Sequence, residues 1–283
     1  IYHSTEGQID LRTTDSFVQQ GTERVNTVKV TNRDGSLRTS SEERTSADGR
    51  SKVISTDLDG DGVFETRKNL AITLDVLGAS SSVLAVVNAD GSLRSRVEQT
   101  QSADTHSKTI KADVDGDGDF DTTTLDITVV AADGSRSETV TVRNVDGSIR
   151  DMSKTLLGAD KVTSQDWADL NQDGVFQATD LVASVTVDAA SQLRTAKSWE
   201  RNYDGSIRAA STSLTTADGL STTTTNDADG DGDTDSVVTG VTVRNGDGSA
   251  THTDTVQNAD GSQRSRIVTT VSADGLTERV ESD

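Results

Sequence analysis

The sequence predicts an all-β protein: tandem units of about 56 residues, each a four-stranded antiparallel meander, strung into an elongated array. Three observations predict it. The same turn strings return at a fixed period, apolar residues alternate with polar ones between the turns, and proline is absent from all 283 residues. A central strand cannot accommodate proline without losing a ladder hydrogen bond, so its absence suits long sheets.

The period is read from three markers. The turn Asn-x-Asp-Gly-Ser places Gly35, Gly91, Gly147, Gly205 and Gly261 at steps of 56, 56, 58 and 56. A second turn, "SADG" or a relative, places Asp48, Asp104, Asp160, Asp218 and Asp274 at the same steps. Acidic loops begin at Asp57, Asp113, Asp169 and Asp227 in the same register. The units are therefore 1–56, 57–112, 113–168, 169–226 and 227–283, the first opening on a decayed loop, "STEGQID" at 4–10. Asp283 falls on the first position of another loop, which marks the chain as an expected excerpt of a longer array.

Within a unit, turns fall near Gly35, Gly49, Asp59 to Gly62, Gly78 and Gly91, with strands between them. Asp-Gly and Asn-Gly favour tight turns because these residues tolerate positive φ. "LAITLDV" puts Leu70, Ile72, Leu74 and Val76 on one strand face, "TLDITVV" does so with Leu125, Ile127 and Val129, and "ETVTVRN" with Val140 and Val142. Strands such as "LRTSSEERTS" at 37–46 are polar on both faces and must hold through ladder hydrogen bonds, cross-strand Thr pairs and neighbouring units. "SQDWADL" at 164–170 is the one local helix candidate. Arg38, Arg94, Arg150, Arg208 and Arg264 share one repeat position and are expected near the turn aspartates, offsetting their charge.

Composition narrows the partners. A formal charge of −20 excludes nucleic acid and anionic membrane as natural ligands and favours cations. Hydrophobic residues make up 31% and aromatics 3%, poor material for a thick core. That balance resembles disorder, but enrichment in Thr and Val and the lack of proline argue for sheet. There is no cysteine, no signal-peptide pattern, and no apolar run approaching the roughly 18 residues of a membrane helix.

The acidic loops carry the chemistry. Aspartates at alternate positions of a turning backbone converge their carboxylates, which repel unless a hard divalent cation joins them. The spacing D-x-D-x-D-G-x-x-D matches the first nine positions of an EF-hand-type loop, where positions 1, 3 and 5 give side-chain oxygens, position 7 a carbonyl, and position 9 a direct or water-bridged ligand. The first loop offers Asp57, Asp59, Asp61, Val63 and Glu65; the second Asp113, Asp115, Asp117, Asp119 and Asp121; the fourth Asp227, Asp229, Asp231, Asp233 and Asp235. Position 12 holds Lys68, Thr124 and Val238 in these three, so a bidentate acid is missing. The third loop, "DLNQDGVFQATD", runs Asp169, Asn171, Asp173, Val175 and, at position 12, Asp180, and resembles the loop of dockerin modules over twelve residues. Calcium is the expected ion, and four Ca2+ would set +8 against −20. Phe64, Phe120 and Phe176 follow the loop glycines and are expected to plug a core beneath the metal.

With "NADGSLRSR", "TSADG" and "DLDGDGVF" alternating over its whole length, the chain resembles the tandem-repeat regions of giant bacterial RTX or hemolysin-type calcium-binding secreted proteins and adhesins. The resemblance implies type I secretion, folding on calcium outside the cell or at the bacterial surface, and a stalk or matrix role; repeats are expected to pack on neighbouring repeats, and exposed polar strands and Thr-rich edges leave self-association into filaments open. The G-G-x-G-x-D nonapeptide is absent, so neither the parallel β-roll nor toxin activity is implied. FG-GAP repeats also join four strands to such a loop, which leaves a five-bladed β-propeller, a calcium-dependent glycan- or protein-binding module, as the alternative. No enzyme is expected: His3, His106 and His252 do not recur and read as surface residues, and Trp167, Trp199 and Tyr203 read as packing residues or, secondarily, a sugar platform.

Overall fold

A computed structural model describes residues 2–3 and 9–283, with side chains from residue 10 onward. The decayed loop expected at 4–10 and the side chain of His3 fall outside the described residues, apart from the backbone of Ile9 and the whole of Asp10. The chain divides into two units, one formed by residues up to 127 with 141–150, the other by 128–140 with 151–283.

The first unit is a meander of β1 (Tyr2–His3), β2 (Ile9–Gln20), β3 (Glu23–Asn32), β4 (Leu37–Thr45), β5 (Ser51–Asp57), β6 (Thr66–Leu74), β7 (Ser80–Asn88), β8 (Leu93–Gln101), β9 (Ser107–Asp113) and β10 (Thr122–Val130). Every strand pairs antiparallel with its chain neighbour, without interruption from β1 to β10. β11 (Arg136–Asn144) is divided between the units, as are β10, whose last three residues lie in the second, and the next strand, whose first two lie in the first. The second unit continues with β12 (Ile149–Leu157), β13 (Ser164–Ala168), one 3-10 turn (Ala178–Asp180), β14 (Leu181–Val187), β15 (Arg194–Arg201), β16 (Ile207–Thr215), β17 (Ser221–Asp227), β18 (Ser236–Arg244), β19 (Ala250–Asn258), β20 (Gln263–Val271) and β21 (Glu278–Ser282). Its ladder is likewise unbroken from β12 to β21. The all-β meander with four strands per period is as the sequence predicts.

The unbroken ladders overturn the propeller. Blades of four strands require a break in hydrogen bonding after every fourth strand, and each unit runs ten strands without one. Neither ladder closes on itself among the described residues. The helix candidate is also overturned: Ser164–Ala168 is β13, paired on both sides, because cross-strand bonding to β12 and β14 outweighs local propensity.

The sheets are single-layered in their burial. Val25 is the one buried hydrophobic side chain among the described residues, at 5% exposure. The register explains why. Leu70 faces Leu84, which faces Val97, then Ala112 and Thr122, so this apolar row fades on β10. Thr122 and Thr124 therefore share the face of Leu70, and Leu125 and Ile127 lie on the other. Apolar residues change faces between β6 and β10, and neither face gathers enough of them to hold a second layer. Leu74, Leu125, Ile127 and Val129 remain exposed, and Val76 falls beyond β6 in the turn rather than on its face. Threonine and serine supply cross-strand pairs instead, as between Thr215 and Thr222 and between Thr251 and Thr270.

The Asn-x-Asp-Gly-Ser turns are three-residue hairpins with a bulge, not two-residue ones. Gly35 N–H donates to Asn32 O at 3.0 Å, Asn32 N–H to Ser36 O at 2.9 Å, and Gly35 takes φ +87°. The aspartate stays at negative φ and works through its side chain: Asp34 accepts from the Ser36 hydroxyl at 2.7 Å and the Ser36 N–H at 2.9 Å.

Candidate metal centres

Each acidic loop leaves a strand end where backbone N–H groups need acceptors, and the position-1 aspartate supplies them. Asp57 is fully buried; its two oxygens accept from Gly60 N–H at 2.6 Å and Gly62 N–H at 3.2 Å. Asp113 is also fully buried and accepts from Gly116 and Gly118 at 2.7 and 3.1 Å. Asp227 repeats this toward Gly230 and Gly232 at 2.6 and 3.1 Å. The position-9 acid then closes the loop onto position 2: Glu65 accepts from Leu58 N–H, Asp121 from Val114 N–H, and Asp235 from Ala228 N–H. Position 3 accepts from position 5, as Asp115 does from Asp117 N–H at 3.2 Å.

This folding gathers carboxylates. In the first loop, oxygens of Asp57, Asp59, Asp61 and Glu65 lie within 4.8 Å of one another. In the second, Asp113, Asp115 and Asp121 do so, and in the fourth Asp227, Asp229 and Asp235. Each carboxylate oxygen has two lone pairs, so those that accept one N–H retain capacity for a cation. An all-oxygen, carboxylate-rich donor set of this size fits a hard divalent ion. Asp117 and Asp231 stand outside their groups and accept from Asp119 N–H and Asp233 N–H, both at 2.8 Å. Asp119 and Asp233 are exposed, as is Val63.

The third loop does not gather its acids. Asp169 accepts from Asp173 N–H and Gly174 N–H at 3.2 and 2.8 Å. Asp173 Oδ2 is occupied by the amides of Asn171 and Gln177, at 2.9 and 2.8 Å. Asp180, 3% exposed, accepts from Gln177 N–H at 2.8 Å and caps the 3-10 turn. Val175 is exposed. The loop is instead tied to the turn between β15 and β16: Tyr203 donates its hydroxyl to Asn171 O at 3.0 Å, and Arg201 donates to Leu181 O at 3.0 Å and Gly205 O at 2.9 Å.

Three features of the loops are invisible in the aspartate spacing. The first is the position-4 glycine. A β-carbon on Gly60 would stand 2.3 Å from Leu37 O, on Gly116 2.4 Å from Leu93 O, and on Gly230 2.3 Å from Ile207 O. All three take positive φ, and the loops can lie on the starts of β4, β8 and β16 because nothing projects there. The third loop has Gln172 at this position, at φ +57°. The second feature is Arg96, the ladder partner of Asp113, whose guanidinium sits 4.5 Å from the Phe120 ring centre and donates to Gly118 O at 3.4 Å. Phe120 is half-buried between Arg96 and Lys111, and Phe64 and Phe176 are half-buried too, so none plugs a core.

The third feature is how the turn aspartates are compensated. Arg208 pairs with Glu200, and Arg38, Arg94 and Arg264 make no ion pair with a turn aspartate among the described residues. Hydroxyls and N–H groups do the work. The Ser92 hydroxyl, then its N–H, hold the Asp90 carboxyl below the ordinary carboxylate range, and Ser102 with His106 N–H does so for Asp104. The same holds at Asp34, Asp146, Asp204 and Asp260 through the following serine.

Trp167 of the third repeat and Trp199 of the fourth are half-buried, and each ring faces a cation. The Lys154 ammonium lies 5.6 Å from the Trp167 ring centre and the Arg201 guanidinium 5.8 Å from that of Trp199. His252 is less isolated than the sequence implies: Nδ1 is 2.8 Å from Thr242 Oγ1 and Nε2 3.0 Å from Asp254 Oδ1. No helix among the described residues is long and apolar enough to cross a membrane. No family model matches the chain, and no curated protein matches it.

Proposed function

We propose that this chain is a calcium-stabilised structural array, acting outside the cell or at a bacterial surface as an adhesin stalk or filament body, with no catalytic role. The supporting observation is the convergence of carboxylates from positions 1, 3 and 9 at three periodic bends of sheets that have almost no apolar interior. Where burial contributes so little, charge at the bends weighs heavily in the stability balance. A cation at each bend replaces repulsion by attraction and ties the strand before the loop to the strand after it. Along each unit, successive loops are four strands apart, about 19 Å at 4.8 Å per strand. That exceeds the roughly 8 Å screening length of physiological salt, so each loop binds on its own account.

Thermal unfolding in calcium and in chelator tests the reading. Saturating calcium is expected to raise the melting temperature by tens of degrees, each site contributing about 2.7 kcal/mol at a hundredfold excess over its Kd. Magnesium at equal concentration is expected to do far less, since it binds few-carboxylate sites that keep their waters. Identical melting in calcium and chelator would refute it.

A further inference from the structure

We propose that Asn245 is a site of spontaneous covalent modification, its side-chain amide lost to attack by the Gly246 backbone nitrogen, which leaves aspartate or isoaspartate at position 245. Asn245 is the one asparagine of the chain that precedes glycine. It opens the turn between β18 and β19. There its N–H donates to Ser249 O at 2.8 Å, its carbonyl accepts from Gly248 N–H at 3.0 Å, and its Nδ2 donates to Ser249 Oγ at 2.9 Å. Five other turns share this frame: Asn32, Asn88, Asn144, Asn202 and Asn258 each bond through the main chain and through Nδ2 to the serine four residues on. The residues that follow them are Arg33, Ala89, Val145, Tyr203 and Ala259, and in each a β-carbon crowds the nitrogen that would have to attack.

The attacking nitrogen must also be free. Asp-Gly pairs, in which the chain is rich, can close the same ring, but their glycine N–H groups are engaged. In the hairpins they donate to the carbonyl that opens the turn, as Gly91 does to Asn88 O at 3.0 Å, and in the acidic loops to the position-1 aspartate, as Gly116 does to Asp113 at 2.7 Å. A charged carboxylate is besides a poor electrophile, and the hydroxyl and N–H of the following serine hold Asp90 and Asp146 in that form. Gly246 differs on both counts. Its N–H makes no hydrogen bond among the described residues, it is exposed, and the side chain before it is a neutral amide. As the Gly246 nitrogen bonds to Asn245 Cγ, the Cγ–Nδ2 bond breaks; the proton from that nitrogen passes through solvent to the departing ammonia, and a succinimide ring remains. Water then opens the ring at either carbonyl. One opening leaves aspartate, which the β6–β7 turn already carries at the corresponding position, Asp75. The other leaves isoaspartate, with an extra methylene in the main chain of a tight turn. Both add a negative charge and remove the donor that Nδ2 supplies to Ser249 Oγ and, at 3.1 Å, to Thr251 Oγ1.

Ageing the folded full chain in mildly alkaline buffer tests this, read by peptide mapping with mass spectrometry and by an isoaspartate-specific methylation assay. Asn245 is expected to convert at least about tenfold faster than Asn88 or Asn258, the effect of roughly 1.4 kcal/mol on the barrier. Gly246→Ala is expected to abolish the conversion at an unchanged melting temperature, because Gly246 takes no positive φ and has open space where the β-carbon would stand. Ala89→Gly is expected to install a second site at Asn88. Three results would each overturn the proposal: conversion of Asn245 that persists in Gly246→Ala, an intact Asn88 in an Ala89→Gly chain whose Asn245 converts, or a folded chain that keeps Asn245 under conditions in which the urea-unfolded chain loses it.

Discussion

Gly60 lies so close to Leu37 that a β-carbon on the glycine would stand 2.3 Å from the leucine carbonyl oxygen. The acidic loop thus rests on the backbone at the start of β4, and its carboxylates are positioned by that contact as much as by their own spacing. Gly60→Ala and Gly116→Ala are expected to cost about 2–4 kcal/mol, since the obstacle is backbone that cannot swing away. Gly62→Ala, at positive φ but with open space around it, is expected to cost about 1–2 kcal/mol. Urea denaturation in chelator separates the two; equal losses would mean that backbone conformation alone matters.

Arg96 occupies the repeat position of Ser40, whose hydroxyl lies 3.5 Å from Asp57 Oδ2. A fixed cation beside Asp113 competes with any metal in the second loop. Arg96→Ser is expected to raise calcium affinity there several-fold, roughly 1 kcal/mol at surface dielectric, read by calorimetric titration against the wild type. Unchanged affinity would place the guanidinium outside the loop's field.

Two aspartates of the second loop are expected to respond oppositely. Asp113→Ala strips the acceptor from two N–H groups, each worth about 1–3 kcal/mol when left unpaired, and destabilises with or without calcium. Asp115→Asn keeps an oxygen for Asp117 N–H while removing charge, so it stabilises slightly in chelator and destabilises in calcium. The crossing of sign between the two melting curves is the diagnostic. Hydrogen exchange is expected to place the Asp113→Ala loss in β8 to β10 and not in distant strands.

Acid is expected to loosen the hairpins before it unfolds the strands. The carboxyls of Asp34, Asp90, Asp146, Asp204 and Asp260 are held low by hydrogen bonds made only in the folded chain. A lowered folded value contributes stability that is complete above the ordinary aspartate value of about 3.9 and is lost as pH falls through the folded one. Melting temperature in chelator should therefore decline below about pH 4, and less steeply once Ser36, Ser92 and Ser148 are alanine.

Tyr203→Phe removes one donor from Asn171 O and nothing else. A loss of about 0.5–1.5 kcal/mol is expected, confined to the second unit. The third loop gathers no acid cluster, so calorimetry is expected to count three stronger calcium sites and at most one weaker.

Strand order and turn placement were legible because both follow from local chemistry: Asp-Gly-Ser bends the chain wherever it occurs, and Thr-Val alternation fills the intervals. The position-1, -3 and -9 acids were legible for the same reason. What escaped depends on partners distant in sequence. Nothing in "DGDG" announces that its first glycine meets Leu37. Nothing in "SQDWADL" reveals strands on both sides, and Val76 keeps the parity of β6 although the strand ends at Leu74. The arginines were assigned to the turn aspartates by charge alone, whereas an adjacent serine is a nearer partner needing no long side chain to be ordered.

A strand that bonds only to its chain neighbours has mechanical consequences. Pulling the ends of either ladder apart across its strands loads the hydrogen bonds in series, so the force falls on one hairpin at a time. Each released strand of nine residues yields about 30 Å of slack. Such a unit is expected to stretch by successive small ruptures at low force and to zip back from whichever hairpins survive, a shock absorber more than a rigid strut.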